Sequence, residues 1–228
     1  MNFLSLVQRL HSEAGRQGSA PASVTGQSGF NQRLVNWVLT GYEDVQGEHP
    51  TWLFRTDDFS FQTQANIGAY TAATAGISDL AAWKFDPDSN NLSGIRLYSS
   101  EQDEQDLVYL SWDLFKANYR FGAARLQVQR PSTFSVKPDM SLDFWPIPDA
   151  AYTVNGEYIK RIATMAENDD EPILPDFHMI IVWRALMYYG AFQGAPEAFA
   201  HGQNEYRKLL ARLEENQLPK VQWGPPLA

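Results

Sequence analysis

Asp169-Asp170-Glu171-Pro172-Ile173-Leu174-Pro175-Asp176-Phe177-His178-Met179-Ile180-Ile181-Val182-Trp183-Arg184-Ala185-Leu186-Met187-Tyr188-Tyr189-Gly190-Ala191-Phe192 is the stretch that decides the fold. An acidic, proline-punctuated loop feeds a helix that is apolar on nearly every face, and such a helix must be surrounded by other helices. Pro175 suits a first helical position, with Asp176 facing the positive end of the macrodipole. The apolar run is shorter than the ~20 residues a bilayer demands, and Arg184 interrupts it. The segment therefore reads as the central helix of a bundle or of a subunit interface, with no membrane partner.

Outward from it, helices flank a β-rich middle. Phe3, Leu6, Val7 and Leu10 share one face of a first helix near 2–13. A Gly/Ser-rich loop over Gly15–Gly29 follows, and Leu34, Trp37, Val38, Gly41 and Tyr42 stripe a second helix over Phe30–Val45 that His49-Pro50 ends. From Trp52 to Ile162 the period drops to two, as in Phe59-Ser60-Phe61, Ile95–Tyr98 and Thr133–Val136. Pro138-Asp139 and Pro148-Asp149 break strands, and Ser111 sits as N-cap of a short helix carrying Trp112, Phe115 and Tyr119. Asn155-Gly156 satisfies the rule for a hairpin turn, yet Tyr152, Val154, Gly156 and Tyr158 alternate through it, which favours one continuous strand. Pro196 opens a last helix striped by Phe199, Tyr206, Leu209, Leu210 and Leu213, and Asn216 can end it. The remaining residues carry three prolines and cannot be helical.

The expected class is α+β. N- and C-terminal helices form a helical bundle with a central β-sandwich-like insertion and an extended C-terminal tail. The expected divisions are 1–50, 51–165, 166–216 and 217–228.

Charge and composition narrow the function. With 18 Lys+Arg against 27 Asp+Glu the net charge is −9, which opposes duplex-DNA binding by phosphate neutralisation but does not exclude a channel through which DNA passes without sticking. The absence of cysteine removes disulfide scaffolds, thiolate metal sites and cysteine nucleophiles. The amphipathic start lacks the pattern of a signal peptide, giving the expectation of a soluble protein made in the cytoplasm.

No phosphate-binding loop, nucleophile elbow or zincin helix is present; His11, His49, His178 and His201 never pair at i, i+4. Asp86-Pro87-Asp88-Ser89-Asn90 opens like a calcium loop, but Asn91 stands where glycine is needed and Leu97 where the bidentate Glu belongs. His178 reads as a hydrogen-bonded structural histidine rather than a base. Asp57-Asp58, Glu101–Asp106 and Asp169–Glu171 read as solvated acidic loops, although a glycosidase needs only two suitably spaced carboxylates. No cofactor is expected. Trp223, between Val221 and Pro225-Pro226-Leu227, is a poor residue to leave in water. The tail either folds back on its own bundle or docks in a partner's groove, where its prolines lower the ordering cost.

The ordered set Leu4–Leu10, the Gly/Ser-rich loop, Leu34-Val35-Asn36-Trp37, Trp52 and Phe59-Ser60-Phe61 resembles a tailed-bacteriophage adaptor, or head-to-tail connector. The likeness continues through Arg130-Pro131, Phe134–Asp139, Leu142, Pro146, Pro148-Asp149, Tyr152 and Gly156-Glu157-Tyr158, and on to Glu171–His178 and Arg207–Leu213. The resemblance implies a non-enzymatic virion protein of the neck, assembled in the host cytoplasm. It would form a ring of ~12 copies beneath the portal, extend the DNA channel and give a tail, nozzle or tail-terminator protein its attachment surface. Double-stranded DNA would pass without specific binding.

The same resemblance implies that Leu218, Pro219, Val221, Trp223, Pro225, Pro226 and Leu227 bind the portal protein. It further implies that Phe177, Ile180, Ile181, Trp183, Tyr188, Leu209 and Leu213 serve bundle and subunit contacts. The competing readings are a virion-associated glycan hydrolase, using a carboxylate pair in the β unit, and a carbohydrate-binding tail module using aromatics such as Trp83 and Trp112.

Overall fold

A computed structural model describes residues 1–87 and 93–219. Its elements are helices α1 (Phe3–Glu13), α2 (Gly29–Gly47), α3 (Trp112–Tyr119), α4 (Met179–Gln193) and α5 (Pro196–Gln217). The strands are β1 (Thr56–Gln62), β2 (Ala69–Tyr70), β3 (Leu80–Lys84), β4 (Arg96–Tyr98), β5 (Gln105–Asp106), β6 (Val108–Tyr109), β7 (Thr133–Val136), β8 (Leu142–Trp145) and β9 (Thr153–Lys160). The chain is mixed α+β with helices at both ends. It divides into two compact units, Met1–Arg55 with Ile162–Ala228, and Thr56–Arg161.

In the helical unit α4 packs against α1, α2 and α5, as its all-round apolar sequence requires. Phe3, Leu6, Val7 and Leu10 of α1, Leu34, Val35, Val38 and Tyr42 of α2, and Ile180, Ile181, Ala185 and Leu186 of α4 form one buried cluster, joined by Tyr206 and Leu213 of α5. Each aliphatic side chain so removed from water contributes about 1.5–3 kcal/mol.

Small residues let the helices meet backbone to backbone. A Cβ added at Gly41 would lie 3.0 Å from the Ile181 carbonyl oxygen, at Gly190 2.7 Å from the Phe199 nitrogen, and at Gly202 2.9 Å from the Trp183 carbonyl oxygen. Gly194, left-handed at φ 64°, closes α4, and the Ala195 N–H returns to the Gly190 carbonyl.

The start of α4 departs from the sequence expectation. The helix opens at Met179, so Pro175 is not its first residue. Asp176 adopts φ 56°, and the Phe177 N–H donates to the Pro175 carbonyl across it at 2.7 Å. The preceding residues are already committed elsewhere: Leu174 is buried, and the Ile173 N–H donates to the Tyr42 hydroxyl at 3.0 Å. A tight turn satisfies both anchors where an earlier helix start would not.

In the β unit, β9 is the centre of one sheet. β1 pairs antiparallel along its whole length, while β4 takes residues 153–155 and β3 residues 157–160 on the opposite edge. β5 extends the sheet beyond β4. The second sheet has the order β2-β8-β7-β6, with β6 and β7 parallel. Phe59, Phe61, Trp83, Leu97, Val154 and Tyr158 from the first sheet and Tyr70, Phe134, Leu142 and Phe144 from the second belong to one hydrophobic cluster. Asn155-Gly156 continues β9 as expected. A Cβ at Gly156 would lie 3.0 Å from the Phe59 ring and 3.2 Å from Ile95, so the glycine makes room for the core rather than for a turn.

Candidate interaction surfaces

The residues assigned to bundle and subunit contacts fall into two groups. Ile180, Ile181 and Leu213 are fully buried within the chain's own cluster. Phe177, Trp183 and Leu209 are half-buried against that cluster and keep accessible area, as does Tyr188. Tyr188 belongs to a polar seam between α2 and α4, in which its hydroxyl donates to the Asp44 carboxylate at 2.5 Å while Arg184 Nε donates to the same oxygen at 2.7 Å. The arginine that interrupts the apolar run thus pays its desolvation with a carboxylate on the facing helix. Tyr206 donates to Glu48 at 2.8 Å, and burial, reinforced by that carboxylate, raises its phenol well above the ordinary value.

Two polar residues that periodicity could not single out organise this unit. Gln46 is fully buried on α2; its amide nitrogen donates to the Ala163 carbonyl at 2.9 Å, and its oxygen accepts from the Ala163 N–H at 2.9 Å. Asn168 accepts from the Val24 N–H at 2.8 Å, pinning the Gly/Ser-rich loop, while its own carbonyl receives the Leu4 N–H at 3.1 Å. The Asp170 carbonyl takes the Phe3 N–H at 2.7 Å, so this loop supplies acceptors for two of the unpaired donors at the start of α1. The Asp170 carboxylate turns inward to the Glu167 and Ala166 N–H groups at 2.9 and 2.6 Å, which lowers its pKa. Glu167, Asp169, Glu171 and Ile173 remain exposed on the ordered loop.

His178 is held on both ring nitrogens. Nε2 lies 2.9 Å from the Leu174 carbonyl and Nδ1 2.6 Å from the Met1 amino group, a structural arrangement with no free lone pair for base chemistry.

In the β unit the acidic segment Glu101–Asp106 acquires a structural role that the sequence left open. Asp103 caps its own turn through Ser99 and Ser100 and pairs with Arg130 at 2.6 Å; Arg130 also donates to the carbonyls of Leu97 and Asp103 at 3.2 and 2.5 Å. The Ser99 hydroxyl, then the Ser100 N–H and Arg130, hold the Asp103 carboxyl far below the usual range. Trp83 is buried and its indole donates to the Met140 carbonyl at 2.7 Å, leaving no face for stacking on a sugar. Trp112 is half-buried and faces a cleft.

That cleft, of about 800 Å³, runs between α3 and the 66–69 segment; Trp112, Lys116, Arg120, Phe121, Lys137 and Ile147 line it. Beneath it lies Asp143, fully buried on β8, paired with Arg120 and 3.8 Å from Lys137. The signal visible in sequence is the i, i+4 pair Lys116 and Arg120 on one face of α3; Lys137 joins them only through the fold.

Among the described residues no cluster of side chains could hold a metal ion, and no helix is long and apolar enough to cross a membrane. The calcium-like segment lies partly outside the described residues, at 88–92. Of the tail residues, Leu218 is half-buried against the helical cluster and Pro219 is exposed, while Val221, Trp223, Pro225, Pro226 and Leu227 lie outside the described residues.

A helical unit with interlocked helices and buried polar seams, and a β unit with a solvent-facing basic cleft, define a protein organised around surfaces. The family model described as SU10 adaptor protein matches residues 1–227, and the chain belongs to that family. It is by family a phage adaptor, a structural protein of the virion that works with other head–tail components. No curated protein matches the chain at a significant level.

Proposed function

We propose that the chain is one subunit of a homo-oligomeric ring, of ~12 copies, that joins the portal at the head vertex to the tail and extends the DNA channel without catalysis. The observation that carries this reading is the span of the family match: residues 1–227 take in both compact units. The net charge of −9 supports a lumen that repels the DNA it conducts. The two sheets sharing one core support a β-sandwich-like insertion, and the accessible parts of Phe177, Trp183, Tyr188 and Leu209 supply apolar area for neighbouring copies.

Leu218–Ala228 serves as the portal anchor, with Trp223 as the aromatic that the portal receives. Removing Gln217–Ala228 should leave both units folded, because every fully buried core residue lies upstream and only the half-buried Leu218 is lost, and should abolish attachment to portal-bearing heads. Normal attachment by the truncated chain refutes the anchor.

A further inference from the structure

We propose that the cleft beside α3 receives the acidic loop Glu167–Ile173 of a second copy of this chain, making a repeated head-to-tail contact between subunits. This inference rests on the ring reading above and names the surface that would close it.

The cleft is electrostatically unlike the rest of the molecule. Residues 112–137 carry five cations, Lys116, Arg120, Arg125, Arg130 and Lys137, against the single anion Asp113, in a chain whose net charge is −9. Buried Asp143 offsets one of the three cations at the cleft and leaves a positive excess. Apolar side chains in water line the same cleft: Phe121 is 65% exposed and Ile67 43%. Such a concentration of exposed large apolar residues marks a protein-binding surface. A phosphate backbone would use the charge and leave those side chains wet, since protein–DNA interfaces are strongly polar.

The chain itself contains the complement. Glu167, Asp169 and Glu171 are exposed within five residues of one another, and Ile173 follows as an exposed apolar tip. Asp170 and Asn168 hold this loop in place through the bonds to Ala166, Glu167, Val24, Phe3 and Leu4, so little ordering entropy is lost on docking. The three carboxylates meet the positive excess that Asp143 leaves at the cleft, and Ile173 meets Phe121 and Ile67. Cleft and loop are different surfaces of one chain, so the contact is heterologous and propagates from copy to copy until rotation closes it.

The test is a charge exchange in the full chain. Lys116 is exposed, so Lys116→Glu leaves the fold intact; Glu171→Lys is exposed likewise. Each reversal costs an interface a few-fold in affinity, and a closed ring repeats the loss at every contact. Each single variant should need at least about tenfold more chain to half-saturate portal-bearing heads, and the double variant should recover to within a few-fold of the parent. Additive loss in the double variant overturns the proposal.

The natural absence of cysteine gives a second, independent readout. Lys116→Cys with Glu171→Cys, treated with a short bis-maleimide on assembled particles, should give a ladder of covalent oligomers, whereas either single cysteine stops at dimers. Rings visible by negative stain but without a ladder refute this contact and leave the ring reading standing. Neither ring nor ladder refutes both. Retention of duplex DNA by the parent at low salt, lost in Lys116→Glu, assigns the cleft to phosphate and also overturns the proposal.

Discussion

Gly190→Ala is the sharpest perturbation of the helical unit because propensity and packing pull it in opposite directions. In a helix interior, alanine is favoured over glycine by about 0.8–1 kcal/mol. At Gly190, however, the new methyl would lie 2.7 Å from the Phe199 nitrogen and 2.9 Å from its Cα and Cβ. Normal contact is about 3.5–4.0 Å, so α5 must retreat by roughly 0.7 Å, a gap that forfeits a quarter to a half of the dispersion energy along the seam. Overpacking of this kind costs about 1–3 kcal/mol, and the backbone on the receiving side cannot rotate away. The balance is a net loss of about 1–2 kcal/mol.

Gly47→Ala is the matched control. Nothing lies within 4 Å of its added Cβ, and it should be neutral or stabilising by a few tenths of a kcal/mol. Urea unfolding, with hydrogen exchange of Met179–Gln193 as the local readout, measures both. With a slope of about 1–3 kcal/mol per molar, the Gly190→Ala midpoint should fall by roughly 0.5–1.5 M and α4 exchange should quicken. A Gly190→Ala protein as stable as its parent would refute the backbone contact between α4 and α5.

Further outcomes follow from the polar contacts. Arg120→Leu leaves the fully buried Asp143 with only the more distant Lys137 and should cost the β unit about 3 kcal/mol, while the double exchange with Asp143→Leu should restore most of it; calorimetry of the two variants checks this. Gln46→Ala removes both bonds to Ala163 and opens a cavity, and should destabilise the helical unit by about 2–3 kcal/mol in urea titration. Asp103 has a folded pKa depressed below its unfolded value of about 3.9. Its contribution is therefore complete above that value and is lost as pH falls through the folded pKa. Below about pH 4 the parent should lose stability more steeply than Asp103→Asn, and equal slopes would contradict the Ser99–Arg130 clamp.

How far the sequence discloses this molecule depends on whether a feature is periodic or paired. The stripes of α1, α2 and α5 and the alternation through Asn155-Gly156 are local patterns of buried side chains, and the observed elements follow them closely. The start of α4 is not local: Pro175 carries a helix-start signal, but the burial of Leu174 and the bond from Ile173 to Tyr42 hold the chain in a turn until Met179. Gln46, Asn168 and Arg130 are equally invisible to periodicity, since each acts on residues distant in sequence, such as Ala163, Val24 and Asp103. The basic cleft is half legible: Lys116 and Arg120 share a helical face in the sequence, whereas Lys137 and Asp143 reach them only through β7 and β8. Family resemblance crosses this gap because ordered motifs spread along the chain record long-range partners without revealing which partner each residue has.

The central claim is that this protein acts by shape, as repeated copies of itself at the head–tail junction. Electron microscopy of the particle neck, classified for rotational symmetry with the subunit fold fitted into the density, tests it most directly. The account predicts a closed ring of many copies coaxial with the DNA channel, directly beneath the portal. A single copy per particle, or density placed away from the vertex through which the genome leaves, would contradict it.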